Sequence, residues 1–462
     1  MASKEIVPQA EEVLSQSGEG KKSDVDVALD LYIQAQGLDH ASKEKEAAVL
    51  RKIDLHLQPL LMVTGFLQYL DKQAVQYAFL YNFQKDLHLT SHQLSWTGSF
   101  FYVGYLVFLS GAISFLLAAA SNFGGVVVLR LLLGAAESIQ LPFMLITSNM
   151  YYTRKEQPFR MMLWYMQKGV AQVAGALFAY GVGHIDSQIP RWKYIFIISI
   201  LHKPGYSTRE RERQIAVMRV KDNQTGIESK TCKWKQAWEA LTDPKGFLNA
   251  IAGGCGNILG GVGTFAGLLI KSFGFTTLQS TLLQLPVGVI ECIGLVVVSF
   301  IATNVKNSRM IISIMVALTS LTGSVLLYAY DLKHKSVLLT GFWMMVGMIP
   351  CGFITGVGTM TANVGGHTKR ITAQALFFVF YSAGNITAPQ FYTESPYFEG
   401  RRANVVALVV VVVINILILF YYIWENRQRR KYLEANRDAL DEKDFAFRDL
   451  TDKENPFCFN VW

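Results

Sequence analysis

The stretch Val126–Pro142, VVVLRLLLGAAESIQLP, decides how this chain is read. It is an apolar run of helical character that carries two charges, Arg130 and Glu137. Their separation is about two helical turns, so both side chains lie near one face, roughly 10 Å apart along the axis. A charge inside a membrane span is costly and is tolerated facing a protein interior or a watery cavity. Two readings follow. One is a structural ion pair or a snorkelling arginine; the other is a transport site, with Arg130 holding an anion and Glu137 exchanging a proton.

Of the 462 residues, 51% are hydrophobic and 17% charged, and the mean hydropathy is +0.26. Soluble domains carry about a quarter charged residues, so this balance points to a membrane. Apolar runs long enough to cross a hydrocarbon layer of ~30 Å recur along the chain. The net charge of +8 sits in segments between those runs, the pattern of cytoplasmic loops beside acidic lipid rather than of a nucleic-acid binder. Cys232, Cys255, Cys292, Cys351 and Cys458 are scattered without a CxxC, which supports neither a disulfide framework nor a zinc site. His88 and His92 stand in a short polar loop, where a solvated face is a simpler reading than a metal. No Gly-rich phosphate loop follows a strand pattern and no nucleophile stands beside a base, so neither an enzyme nor a cofactor is expected.

Residues 1–50 are polar and read as a cytoplasmic tail without a signal peptide. A first span runs from about Leu57 to Leu80, with Asp71-Lys72-Gln73 near its middle. The apolar run Trp96 to Ala120, the Arg130 helix, the basic loop Tyr152–Pro158 and a span from about Met161 to Val182 follow. Trp192 to Leu201 is a stub of about 15 Å, half a membrane. Residues 202–246 form a basic connector, in which Ser207-Thr-Arg-Glu210 has the form of a capping box for a surface helix through about Arg219. Six spans are predicted beyond it, at about 247–270, 279–302, 310–330, 336–361, 371–391 and 403–424. Basic residues between them fall on one side if the spans alternate. The organisation is therefore residues 51–201 as an incomplete N-terminal bundle, 247–424 as a six-helix C-terminal bundle and 425–462 as a charged cytoplasmic tail. Gly256-xxx-Gly260, Gly263-xxx-Gly267 and Gly352-xxx-Gly356 allow close helix packing, or bends where a cavity passes.

A helical half joined through a long basic connector to a six-span half resembles the major facilitator superfamily. Arg130-x3-Gly134-x2-Glu137-x4-Pro142 is similar to the fourth helix of its anion:cation symporters. Leu70-Asp-Lys-Gln73, Tyr152–Arg160, Asp222–Ile227, Asn363–Lys369 and Ala375-Leu-Phe-Phe with Gly384-Asn385 resemble the fungal allantoate permease branch. The resemblance implies an all-α membrane protein with a major facilitator fold, two helical bundles around a central site that works by alternating access. About ten full spans and a short stub stand in place of twelve. The run Trp96–Ala120 looks like the start of a second helix joined to the end of a third near Phe108–Gly111, and the sixth span stops at Leu201.

Carried across residue by residue, the resemblance gives Asp71 and Glu137 as proton carriers and Lys72 and Arg130 as ligands of a substrate carboxylate. Two acids buried beside two bases titrate as a coupled set, and an arriving anion changes which protonation state is favoured. A local ion pair that positions the first helix is the alternative for Asp71-Lys72. Gln167, Asn257, Gln284 and Asn385 are further cavity candidates, although a buried amide also serves to tie two helices. Gln167 and Asn385 are placed with the substrate ligands, Asn385 being the preferred one. The expectation is a proton-coupled secondary transporter of a small organic anion such as allantoate or ureidosuccinate, monomeric and in the plasma membrane. Its partners are then the anion, protons and lipid, with no nucleic acid. Efflux of a secondary metabolite, or a shortened chain that no longer transports, are the alternatives.

Overall fold

The computed structural model describes residues 43–81, 83–104, 123–124, 126–128, 130–131, 140–153, 156–184, 233–435 and 450–461. The suspected junction Phe108–Gly111, the stub Trp192–Leu201 and the surface helix Ser207–Arg219 lie outside them.

The described residues are mostly helical, with no strand among them. In the first half these are α1 (Lys43–Leu80), α2 (Ser91–Gly104), α3 (Gln140–Tyr151), α4 (Gln157–Tyr165) and α5 (Gln167–Val182). Thr90 and Gln93 cap α2 reciprocally, each backbone N–H donating to the other's side chain. Pro158 opens α4, where its missing N–H costs nothing. The second half begins with α6 (Trp234–Thr242), α7 (Pro244–Asn257) and α8 (Gly260–Ser272). It continues with α9 (Leu285–Asn304), α10 (Arg309–Ala329), α11 (Lys335–Ala362), α12 (His367–Thr387) and α13 (Phe398–Ala435). Six segments of this half are long and apolar enough to cross a membrane, and they match the expected spans to within a few residues at nearly every end. α9 shows the underlying pattern. Val289, Ile293, Val296, Val297 and Phe300 point outward on one face, while Gly288, Glu291, Leu295 and Val298 are buried on the other.

Within the second half α10 packs on α11 and α13, and α7 on α12 and α13; in the first, α1 packs on α4 and α5. The halves meet where α1 packs on α8, α2 on α12, α5 on α9, and α4 on α9 and α11. Among these contacts between the halves, the α5–α9 crossing brings two backbones close together. A Cβ added to Gly288 would lie 2.6 Å from the Gly169 carbonyl oxygen, and one on Gly169 would lie 2.8 Å from that of Gly288. Only glycine fits such an approach. Gly288→Val is expected to cost about 1–3 kcal/mol by overpacking, read as a lower melting temperature in detergent. Gly181→Val is the matched control, because a Cβ there meets nothing within 4 Å.

Two sequence-based boundaries fall inside helices. α1 begins before residue 51, and α13 runs past 424 to Ala435. Apolar composition marks the hydrocarbon layer, and the helix backbone continues beyond it with polar residues. Nor are residues 450–461 simply a charged tail. Asp452 is fully buried, and its carboxylate pairs with Lys245 of α7 and, at 2.6 Å, with Lys369 of α12. Lys369 also reaches Glu239 and Asp243, each at 2.8 Å. Arg429 joins from α13, donating to the Asp452 carbonyl oxygen at 2.7 Å. Asn426 and Asn460 bond each other reciprocally through side chain and backbone, as do Asn363 and Val461. Burial alone would raise the Asp452 pKa, but the ammonium groups of Lys245 and Lys369 outweigh it and hold the carboxyl well below the usual carboxylate range.

Candidate functional site

A cavity of about 220 Å³ lies between the two halves. On α1, Tyr69, Lys72 and Gln73 line it, a spacing that puts them on one helical face. Arg130 reaches it from the Val126–Pro142 stretch and is only 3% exposed. Lys168 of α5 completes a set of three basic side chains, and the described lining residues include no carboxylate. From the second half come Asn257, Phe353 of α11, Tyr381 and Asn385 of α12, and Asn415 of α13. Gly256, Gly260, Gly263, Gly352 and Gly356 also line it, so much of the glycine pattern leaves open space rather than only close packing.

Aromatic rings close around the basic set. Tyr165 stacks on Phe353 across the halves, with centroids 5.4 Å apart, and meets Tyr69 edge-on. The Lys168 Nζ lies 5.8 Å from the Tyr69 ring centre, within cation–π range. Gln73 Oε1 is buried with no hydrogen bond among the described residues, an acceptor left over at the cavity wall. Asn385 donates from Nδ2 to the Tyr381 carbonyl oxygen at 2.9 Å, which fixes the orientation of its side chain.

Of the residues singled out in the sequence, Lys72, Arg130, Asn257 and Asn385 are thus brought to one cavity. Gln167 is buried but does not line it; its Cβ faces Gly65 of α1, and the next residue, Lys168, reaches the cavity instead. Gln284 is fully buried and ties the halves together, accepting from Gln76 of α1 and Gln172 of α5. Glu137 and the side chain of Asp71 lie outside the described residues. Sequence reasoning missed Lys168 and Glu291 of α9, which form an ion pair at 3.6 Å across the α5–α9 seam. The signal was present: each is a lone charge in a long apolar span, the argument applied to Arg130.

Over most of its length the chain is similar to fungal transporters. An uncharacterised transporter of Schizosaccharomyces pombe is 34% identical, with 90% of this chain and 88% of that one aligned. The MFS-type transporter cnsL of Penicillium expansum is 31% identical over 94% of this chain and 93% of its own. The chain belongs to the major facilitator superfamily. Within that superfamily, the allantoate permease of Saccharomyces cerevisiae is 28% identical over 94% of this chain and 89% of its own length. No protein-family model matches the sequence. As a major facilitator protein it is a multi-pass integral membrane transporter and not an enzyme. The alignment with the Schizosaccharomyces protein runs over 461 positions yet takes in 90% of this chain's residues, so the chain carries internal gaps relative to it.

Proposed function

We propose that this chain is a proton-coupled transporter of a small organic carboxylate, with allantoate and ureidosuccinate as the first candidates. The observation that carries the reading is the cavity lining: three basic side chains from α1, α5 and the Arg130 segment, with no carboxylate among the described lining residues. In a low-dielectric pocket such a set attracts an anion and disfavours a cation. Arg130 offers a fork of donors that matches a carboxylate, while Lys72 and Lys168 act as point charges. Asn385 and the leftover acceptor of Gln73 suit the amide and amine groups of a ureido compound. Asp71 and Glu137 serve as proton carriers, as the resemblance to the anion:cation symporters implies. The protein acts as a monomer in the plasma membrane.

The test is uptake of labelled allantoate, ureidosuccinate and succinate into proteoliposomes containing the purified chain. Accumulation is expected to steepen as the outside is made acid, to collapse with a protonophore, and to be competed by other carboxylates but not by their neutral amides. Competition by amides as strong as by acids would overturn the anion assignment. Loss of preloaded anion against an inward proton gradient would assign efflux instead.

A further inference from the structure

We infer that Glu291 is a proton-carrying group of the transport cycle, loaded when a substrate anion draws Lys168 away from it; this rests on the carboxylate reading above. Glu291 sits mid-way along a membrane span, 2% exposed, on the face of α9 turned to α5. Its only ion-pair partner among the described residues is Lys168, at 3.6 Å. That distance is too long for a hydrogen bond, and Glu291 Oε1 has none among the described residues. Lys168 is the opposite case: its side chain is 21% exposed and lines the cavity. One ammonium group therefore faces a buried carboxylate on one side and the substrate space on the other.

The consequence is a competition. An anion entering the cavity offers Lys168 a second partner, and each step of Lys168 toward it leaves the Glu291 carboxylate less compensated. A buried carboxylate without its cation is costly, and binding a proton removes the cost. In balanced form, a proton from water adds to the Glu291 carboxylate and forms an O–H bond, while the ammonium exchanges the glutamate for the substrate carboxylate. When the anion leaves, Lys168 returns and the proton is released. By linkage, anion and proton then each favour the binding of the other. The groups that surround Glu291 are Lys168 of α5, Tyr165 of α4, Tyr69 of α1, Cys351 of α11 and its own neighbour Cys292, with Lys72 acting on Lys168 from α1. None of the others is a carboxylate that would take the proton in its place. The pair also bridges the two halves beside the Gly169–Gly288 crossing, so its state is felt at the seam where they move.

The experiment counts protons taken up on binding. Calorimetric titration of the purified full chain, in buffers of differing ionisation enthalpy, uses whichever carboxylate of the panel the parent transports fastest. The parent is expected to take up a proton fraction that Glu291→Gln lacks, while the variant still binds the anion and still exchanges it in counterflow. Lys168→Gln is expected to bind the anion more weakly, since Lys168 is also a ligand, and at saturating anion to lose the same proton fraction although Glu291 is intact, because the lone acid is already protonated before the anion arrives. Retained counterflow shows that Glu291→Gln is folded, and a gel-filtration profile in detergent matching the parent's shows it for Lys168→Gln. Unchanged proton uptake in either variant overturns the assignment and leaves the carboxylate reading standing. A parent with no counterflow on any of the carboxylates overturns both.

Discussion

Lys369→Met is expected to destabilise the second half of the chain by about 3–5 kcal/mol, the cost of taking one partner out of a buried ion pair. The Lys369 ammonium is 1% exposed and touches three carboxylates, those of Glu239, Asp243 and Asp452. Without it, ligand oxygens of these three acids lie within 4.8 Å of one another, and two of the acids are buried. Their mutual repulsion then acts on α6, on the start of α7 and on the C-terminal segment together. Asp452→Asn alone is expected to be milder, since Lys245 keeps Glu425 at 3.1 Å and Lys369 keeps its other two acids. The double variant Lys369→Met with Asp452→Asn should recover part of the loss by removing one of the repelling charges. Thermal unfolding in detergent reads all three, and a Lys369→Met curve superimposed on the parent's would show that the cluster contributes nothing.

The sign of the pH dependence follows from the same cluster. Asp452 is held below the ordinary carboxylate range in the folded protein. Its contribution is therefore complete above its unfolded value of about 3.9 and is lost as pH falls below that toward the folded value. Titration of Asp452 therefore contributes no pH dependence to stability near neutral pH.

Arg130→Ala is expected to reduce carboxylate transport by roughly 10- to 100-fold, from the ~1.5–3 kcal/mol that a hydrogen bond to a charged group contributes. Arg130 is buried at the cavity wall, so the loss comes without the solvent screening that weakens a surface charge. Arg130→Lys keeps the charge but not the planar fork, and is expected to fall between the alanine variant and the parent. A rise in KM at unchanged maximal rate would mark a group that holds the anion equally throughout the cycle. A fall in maximal rate would mark one that grips it harder in the occluded state. Saturation curves identical to the parent's for Arg130→Ala and for Glu137→Gln on every carboxylate would remove both residues from the site.

The spans of the second half were legible because each is an apolar run longer than the hydrocarbon layer, a signal that needs no knowledge of neighbours. That Lys72, Arg130 and Asn385 line one cavity was legible for a related reason: polar groups inside such runs have few places to go but a shared interior. The same reasoning stopped one residue short at Gln167. On a helix a shift of one residue turns the side chain by about 100°, which separates a core amide facing Gly65 from the cavity lysine beside it. Glu291 is a single charge in a span whose length and apolar character alone suffice to mark it as membrane-crossing, so the span signal does not depend on it. The C-terminal cluster could not be read at all. Lys369 and Asp452 are 83 residues apart and Lys245 and Asp452 are 207 apart, and Asp452 lies in a segment with no apolar period. The Asn363–Lys369 motif, which helped suggest the family, lies at this cluster and not at the cavity: Asn363 clasps Val461, and Lys369 holds three acids.

Where Gly169 meets Gly288, neither position adds a side chain of its own, and Cys292 and Val173 pack beside the crossing. Helices that interlock through bulky knobs must climb over one another to change their angle, whereas paired glycines leave less to climb. On the transport cycle proposed above, α5 and α9 would pivot at this crossing, with wide swings at their tips and hardly any sliding at the fulcrum. A solute lodged beside that fulcrum would stay almost still while the protein opens around it, first toward one face of the membrane and then toward the other.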